Sequence, residues 1–254
     1  MAPKMAAWAE SEWQARVDLA ALYRLVDLYG WSDLLGTHIS HRVPDEPNHF
    51  LLNPFGFLWE EMTASILLKV DDEGNVVSDS NHQPNPAGVT IHSAILKARP
   101  DVTCAIHTHT QAGVGVATQK DGLLPLTQRA LHVLAQTGYY DYAGIETDAR
   151  ERDRIAAAVG HHNVLFLRNH GIIAMGRTPG EAFMWCYRAE RACRMQLAIQ
   201  QAHVETVALP DAVIEETIER NRFLNSAAGY RTIGVNEWPA LRRKLDRIDP
   251  SYKT

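Results

Sequence analysis

Between Ser11 and Tyr29 the apolar residues Val17, Ala21, Leu25 and Leu28 return at three- and four-residue intervals, and Gly30 follows them. That spacing predicts an amphipathic helix that stops at the glycine. Thr37–Val43 and His49–Leu52 predict two short strands, joined through Pro44, Asp45 and Pro47 as a hairpin. Thr63–Leu67 predicts a helical turn, and residues 68–70 and 75–77 predict strand pieces on either side of Asp71-Asp72-Glu73-Gly74. Ala87–Ala98 predicts a helix ending near Arg99, because Pro100 cannot continue it. Val102–His107, rich in β-branched residues, predicts a buried strand. A loop then leads through Leu123–Leu126 to a helix around Arg129–Leu134. Asp148 is expected to cap a charged helix that runs to Gly160.

Asn163–Leu167 and Ile172–Met175 predict strands meeting at the Asn169-His170-Gly171 corner. Thr178-Pro179-Gly180-Glu181 has a capping threonine, a proline at the first helical position and a glutamate three residues after the cap. It opens a helix of about 25 residues, with Ala182, Cys186, Ala189, Cys193 and Leu197 on one face. A further helix is expected through Glu215–Phe223, then a tail carrying Trp238, Pro239 and several arginines. Helices and strands mix without strict alternation, which favours a mixed α/β domain over a doubly wound parallel sheet.

The chain has 254 residues, 46% of them hydrophobic, and a formal net charge of -5. Lys and Arg total 25 against 30 Asp and Glu, and apart from Arg242, Arg243, Lys244 and Arg247 the basic residues are scattered. That balance argues against nucleic acid as a partner. No run approaches the roughly 20 apolar residues of a membrane span, and the first residues lack a secretory layout, so the expected location is the cytoplasm. Cys104, Cys186 and Cys193 form no CxxC pair and read as small buried hydrophobes.

Histidine is the exception: 12 residues, roughly twice what average composition supplies. His107-Thr108-His109 ends a predicted buried strand, where residues two apart point to the same side. Chance alone would give roughly 0.5 such pairs in this composition. A third histidine, His170, also ends an apolar strand, and Gly171 beside it permits a sharp turn and close approach by a ligand. Three neutral imidazoles suit Zn²⁺, Fe²⁺ or Mn²⁺ and leave positions open for water and substrate.

Five segments in order resemble the class II aldolase and adducin head-domain family. They are Gly36-Thr37-His38-Ile39-Ser40, Leu52-Asn53-Pro54-Phe55-Gly56, the run HSAILKARPD from His92 to Asp101, the His107/His109 pair and Arg168-Asn169-His170-Gly171. The resemblance spans about residues 16–201, with 202–254 as a C-terminal helix and tail of one domain covering 1–254. It implies a three-layer α/β/α domain around a central, largely antiparallel sheet. It also implies a divalent metal on His107, His109 and His170, and a homotetramer with active sites between subunits. The apolar faces of the Thr178 helix and the tail are consistent with such burial between subunits or, equally, with core packing.

Two departures redirect the functional expectation. In the family's sugar-phosphate aldolases a catalytic Glu stands four residues before the histidine equivalent to His92, after two serines that help bind phosphate. Here Gly88 occupies the Glu position and both serines are missing. The phosphate-binding Gly-Asn pair is replaced by Thr37-His38, and the Thr-Gly site by Asn53 and Gly56. A phosphate dianion needs several fixed donors, so a phosphorylated sugar is not expected. The Glu-free pattern is closest to the adducin-like branch, and the tail Asn236–Tyr252 resembles a bacterial subgroup of it.

The expected activity is therefore a metal-dependent lyase. It would break a carbon–carbon bond of a non-phosphorylated hydroxy, keto or aromatic acid, by aldol cleavage or decarboxylation, through a metal-stabilised enolate. The family's wider membership offers a ferrous three-His oxygenase and a non-catalytic adducin-like assembly domain as alternatives. Tyr142 aligns with a tyrosine that aldolases use for proton transfer, and an ordinary tyrosine is the equal alternative. His38 is a candidate base or carboxylate donor, or else a structural histidine. Asn53, Gly56 and Gly88 mark the substrate positions, and Arg129 is a candidate for holding a carboxylate, with a solvated helix charge as its plainer role. His92, on a helix face beside Val89 and Leu96, is expected to pack or to support the metal site from behind.

Overall fold

The computed structural model describes residues 8–142, 144, 149–226, 229 and 232–254. The first helical period becomes α1 (Glu10–Leu28), which buries Val17, Leu22 and Leu25. The hairpin forms as β1 (His38–Arg42) and β2 (His49–Leu52), antiparallel with His41 opposite Leu51. Asp45 makes its turn with a φ of 65°. β3 (Leu68–Asp71) follows, and a lone Val70–Val76 bridge is all that forms of the strand piece expected at 75–77. Helix α2 (Pro86–Ala98) starts from Asn85, whose side chain accepts from the Ala87 N–H.

β4 (Cys104–Thr108) leads into α3 (Gln111–Ala117), a helix where only a loop was expected. Its two glycines each cost about 1 kcal/mol of helix propensity, which hides it from pattern reading. They also let it lie close: a Cβ on Gly115 would stand 3.1 Å from Leu197, and one on Gly113 2.9 Å from Ile172. After α4 (Gln128–Leu134) comes the unforeseen edge strand β5 (Thr137–Tyr140). Helix α5 (Ala149–Val159) matches the charged helix, though its expected cap, Asp148, lies outside the described residues.

The two strands expected on either side of the Asn169-His170-Gly171 corner are β6 (Val164–Leu167) and β7 (Gly171–Gly176), which pair antiparallel as a hairpin. Next, α6 (Pro179–Ala202) begins as the capping signature demands, with Thr178 Oγ1 accepting from the Glu181 N–H at 3.1 Å. The Glu181 carboxylate reaches the backbone N–H of Arg177 at 2.9 Å, one residue before the cap. α7 (Asp211–Leu224) and α8 (Glu237–Ile248) close the chain. Pro239 sits in the first turn of α8, where a missing N–H breaks no helical bond.

The seven strands lie in the order β3-β2-β1-β4-β7-β6-β5, antiparallel throughout except for the β5–β6 pair. Alternate residues face opposite ways. Ile39, Cys104, Ile106, Phe166 and Ala174 join α1, α3 and α6 in one core. Phe50, Ala105, Leu165, Ile173 and Met175 join α2 and α5 in the other. The result is the expected three-layer α/β/α arrangement around a largely antiparallel sheet. The Ala182, Cys186, Ala189 and Cys193 face of α6 is buried inside the chain's own core. All three cysteines are buried and free.

Candidate metal centre

The site is built at one end of the two central strands. His107 is on β4 and His109 just beyond it, while His170 stands in the tight link from β6 to β7. Asn169 turns that link with a φ of 58° and the His170 N–H returns to the Leu167 carbonyl at 3.0 Å. Gly171 therefore serves a purpose other than the turn. A Cβ there would meet the Thr108 carbonyl at 2.4 Å, His109 Cδ2 at 3.1 Å and His107 Cε1 at 3.4 Å, so any side chain would drive the histidine loops apart.

The three imidazoles offer one nitrogen each, all within 4.8 Å of one another. His107 Nε2 and His109 Nε2 stand 2.9 Å apart. Their other nitrogens are occupied: His107 Nδ1 donates to the Ile172 carbonyl at 3.1 Å, and His109 Nδ1 pairs with the Asp33 carboxylate at 3.0 Å. Each bond puts the ring proton on Nδ1 and leaves Nε2 as a bare lone pair, the tautomer a metal ligand requires. Asp33, from the loop after α1, escapes sequence reading because its link to His109 crosses 76 positions and forms no local motif.

His38 completes the neighbourhood from β1. It lies directly opposite His107 in the β1–β4 register, so both rings emerge on the face covered by α2, with centroids 4.9 Å apart. His38 Nδ1 is 2.8 Å from His92 Nε2, and His92 Nδ1 is 2.6 Å from Ser40 Oγ. His92 is thus a supporting residue behind His38. Gly88 lies against the same ring: an added Cβ would stand 3.0 Å from both Cγ and Cδ2 of His38. The glycine at the aldolase Glu position is what leaves room for a histidine at 38.

Burial pushes four of these imidazoles, those of His38, His92, His107 and His170, towards the neutral form. The His170 pKa falls to about 4, from desolvation first and the neighbouring His109 second. His92 falls to about 3, again mainly from desolvation, with His107 adding to it. His38 and His107 are both lowered well below the usual imidazole range, by burial and then by their histidine neighbours. Neutral rings with free lone pairs fit a borderline cation such as Zn²⁺, Fe²⁺ or Mn²⁺.

Asn53 is buried, and its Oδ1 accepts from Tyr23 OH at 2.8 Å; that hydroxyl also accepts from the Ile39 N–H. The Tyr23 hydroxyl thus ties α1 to β1 and to the residue that follows β2. Gly56 takes a φ of 99° in an open loop. Arg129 lines a groove of about 530 Å³ between α4 and α7, with Glu216 and Arg220. Tyr142 is 54% exposed after β5. Of the residues singled out, the fold gathers His38, Gly88, His92, His107, His109 and His170, and it adds Asp33 and Ser40.

The family model for the Class II Aldolase and Adducin N-terminal domain matches residues 17–197. The chain belongs to this family. A solved aldolase II superfamily protein from Pseudomonas syringae is 40% identical and superposes with a TM-score of 0.91, covering 99% of both chains. The L-fuculose 1-phosphate aldolase of Glaciozyma antarctica is 27% identical with a TM-score of 0.81, covering 100% of this chain and 97% of that one. Alpha-adducin of Rattus norvegicus is 39% identical over 262 aligned residues, 98% of this chain but 35% of the adducin. Relatives thus fall on both sides of the family, aldolase and adducin.

Proposed function

We propose that the protein is a metal-dependent carbon–carbon lyase acting on a non-phosphorylated hydroxy, keto or aromatic acid. The observation that carries this is the tautomer pattern: His107 and His109 each hold a proton on Nδ1, donate it in a hydrogen bond to an oxygen, and turn a bare Nε2 towards His170. A purely structural histidine cluster needs no such arrangement. A divalent ion held there supplies a Lewis acid for the negative charge that develops as the bond breaks. His38, buried beside His107 and packed against Gly88, which replaces the sugar-phosphate aldolases' Glu, is the polar group that meets the substrate. The phosphorylated substrate of the Glaciozyma relative is not carried over, because Gly88 and the lost serines remove the groups that would serve it.

Metal analysis should find one Zn²⁺, Mn²⁺ or Fe²⁺ per chain. A panel of hydroxy, keto and aromatic hydroxy acids should then yield turnover without oxygen, and sugar phosphates should not. Turnover that stops under anaerobic conditions would instead identify the ferrous oxygenase. The adducin relatives favour a second reading, a non-catalytic assembly domain; substoichiometric metal with no uptake on titration would establish it.

Tyr142 and Arg129 enter this proposal through assembly, each contributed to a neighbouring subunit's site. Light scattering should return a tetramer, and a monomer would remove both residues from the site. Among the described residues no helix is long and apolar enough to cross a membrane; a cytoplasmic location is part of this proposal.

A further inference from the structure

We infer that His38 presents an N–H, not a lone pair, beside the three-histidine site, and that it binds a carboxylate or carbonyl oxygen of the substrate rather than serving as a fourth ligand or a base. The direction of its hydrogen bonds follows from Ser40. This residue is fully buried on β1, and among the described residues its hydroxyl has one partner, His92 Nδ1 at 2.6 Å. A buried hydroxyl must give its proton to an acceptor or leave a donor unsatisfied. Ser40 therefore donates, and His92 Nδ1 carries no hydrogen.

Neutral His92 then has its proton on Nε2, which donates across 2.8 Å to His38 Nδ1. By the same logic neutral His38 keeps its proton on Nε2, the nitrogen turned away from His92. His107 and His109 are fixed the opposite way, since the Ile172 carbonyl and the Asp33 carboxylate carry no hydrogen to offer. Neighbouring rings thus hold opposite tautomers: two bare Nε2 atoms for an ion and one Nε2–H for an oxygen. Gly88 is part of the device, since a Cβ 3.0 Å from His38 Cγ and Cδ2 would displace the ring.

A donor packed against Gly88, the position at which the sugar-phosphate aldolases carry an acceptor carboxylate, selects an anionic or carbonyl oxygen. The favoured substrate class is an acid with one oxygen on the ion and another on His38. This choice of substrate rests on the lyase reading, whereas the hydrogen-bond direction does not.

Neutron diffraction on the Zn²⁺-loaded full chain reads the direction without turnover. Deuterium is expected on Ser40 Oγ towards His92, on His92 Nε2 and on His38 Nε2, with the ion on His107, His109 and His170. Deuterium on His38 Nδ1, or an ion bonded to His38, overturns the inference. Calorimetric titration of the Zn²⁺-loaded protein with glycolate tests the substrate half. His38→Phe should weaken glycolate binding about tenfold or more while leaving Zn²⁺ affinity within about threefold. Ser40→Ala should weaken it too, and Ser40→Thr, which restores the hydroxyl, should recover it.

Glycolate affinity that ignores His38→Phe, or Zn²⁺ affinity that falls as far in His38→Phe as in His170→Phe, refutes the assignment. Should His38→Phe fail to fold, the neutron positions and the Ser40 pair decide. If deuterium positions and glycolate binding hold but no acid is turned over, the lyase reading fails and the donor role stands.

Discussion

Asp33 is half-exposed, yet its carboxylate fixes the ring of His109 and so reaches the metal site through one hydrogen bond. Losing such a supporting acceptor lowers metal affinity about 10- to 100-fold. Asp33→Ala should show that loss in a competition titration with a chelating dye, and Asp33→Asn should show less because its amide oxygen still accepts. Equal Zn²⁺ affinity in Asp33→Ala and the parent would remove Asp33 from the site. The buried histidines set a pH dependence of the metal-free protein. His170 titrates at about 4 and His92 at about 3 in the folded chain, against 6.5 for a free imidazole. Below pH 6.5 the unfolded chain takes up protons that the folded chain refuses, so stability falls with pH from about 6.5 down to about 4 and further. Thermal melts in chelator across that window should show a falling midpoint, with a shallower slope for His92→Gln, which cannot titrate. An unchanged slope would mean that His92 is not held neutral.

At the scale of elements, legibility followed the strength of local signals. The Thr178 signature predicted the start of α6, because cap, proline and glutamate each satisfy a backbone requirement within four residues. Thr178→Ala should cost about 1 kcal/mol, and lower the melting midpoint by roughly 2–4 °C in a chain of this size. Ser in its place should recover most of that, whereas no change with Ala would show that Glu181 alone holds the helix end. Helix α3 and strand β5 were missed for the converse reason. Gly113 and Gly115 oppose a helix locally and make sense only against Ile172 and Leu197, and β5 is four residues at a sheet edge. The site divides in the same way. His107, His109 and His170 stood out because strand ends and motif order coincide there. Ser40 figured only as the last residue of a motif and Asp33 not at all, since a serine and an aspartate acquire these roles only when β1 is laid against α2 and the loop after α1 is brought to His109. Gly88 was legible as a loss, the missing Glu, but not as the space that His38 fills.

On the scale of the whole molecule the three histidines do more than face a substrate. They join the end of β4 to the β6–β7 link, and through Asp33 they reach the chain leaving α1, so an ion there binds together segments distant in sequence. An unfolded chain has no such preformed cluster, and an ion that binds only the folded form adds about 2.7 kcal/mol at a free concentration one hundred times its dissociation constant. In a protein of this length that corresponds to a rise of roughly 5–10 °C in the melting midpoint. Stripping the protein with a chelator and dialysing it free should lower the midpoint by that amount. Adding back Zn²⁺ should restore it in a concentration-dependent way, and Mg²⁺, which prefers oxygen ligands, should not. His170→Ala should melt at one temperature with or without Zn²⁺, because two imidazoles no longer close the site. A parent protein whose midpoint ignores every added transition metal would leave His107, His109 and His170 as a histidine cluster with no ion to hold, and the lyase proposal would fall with it.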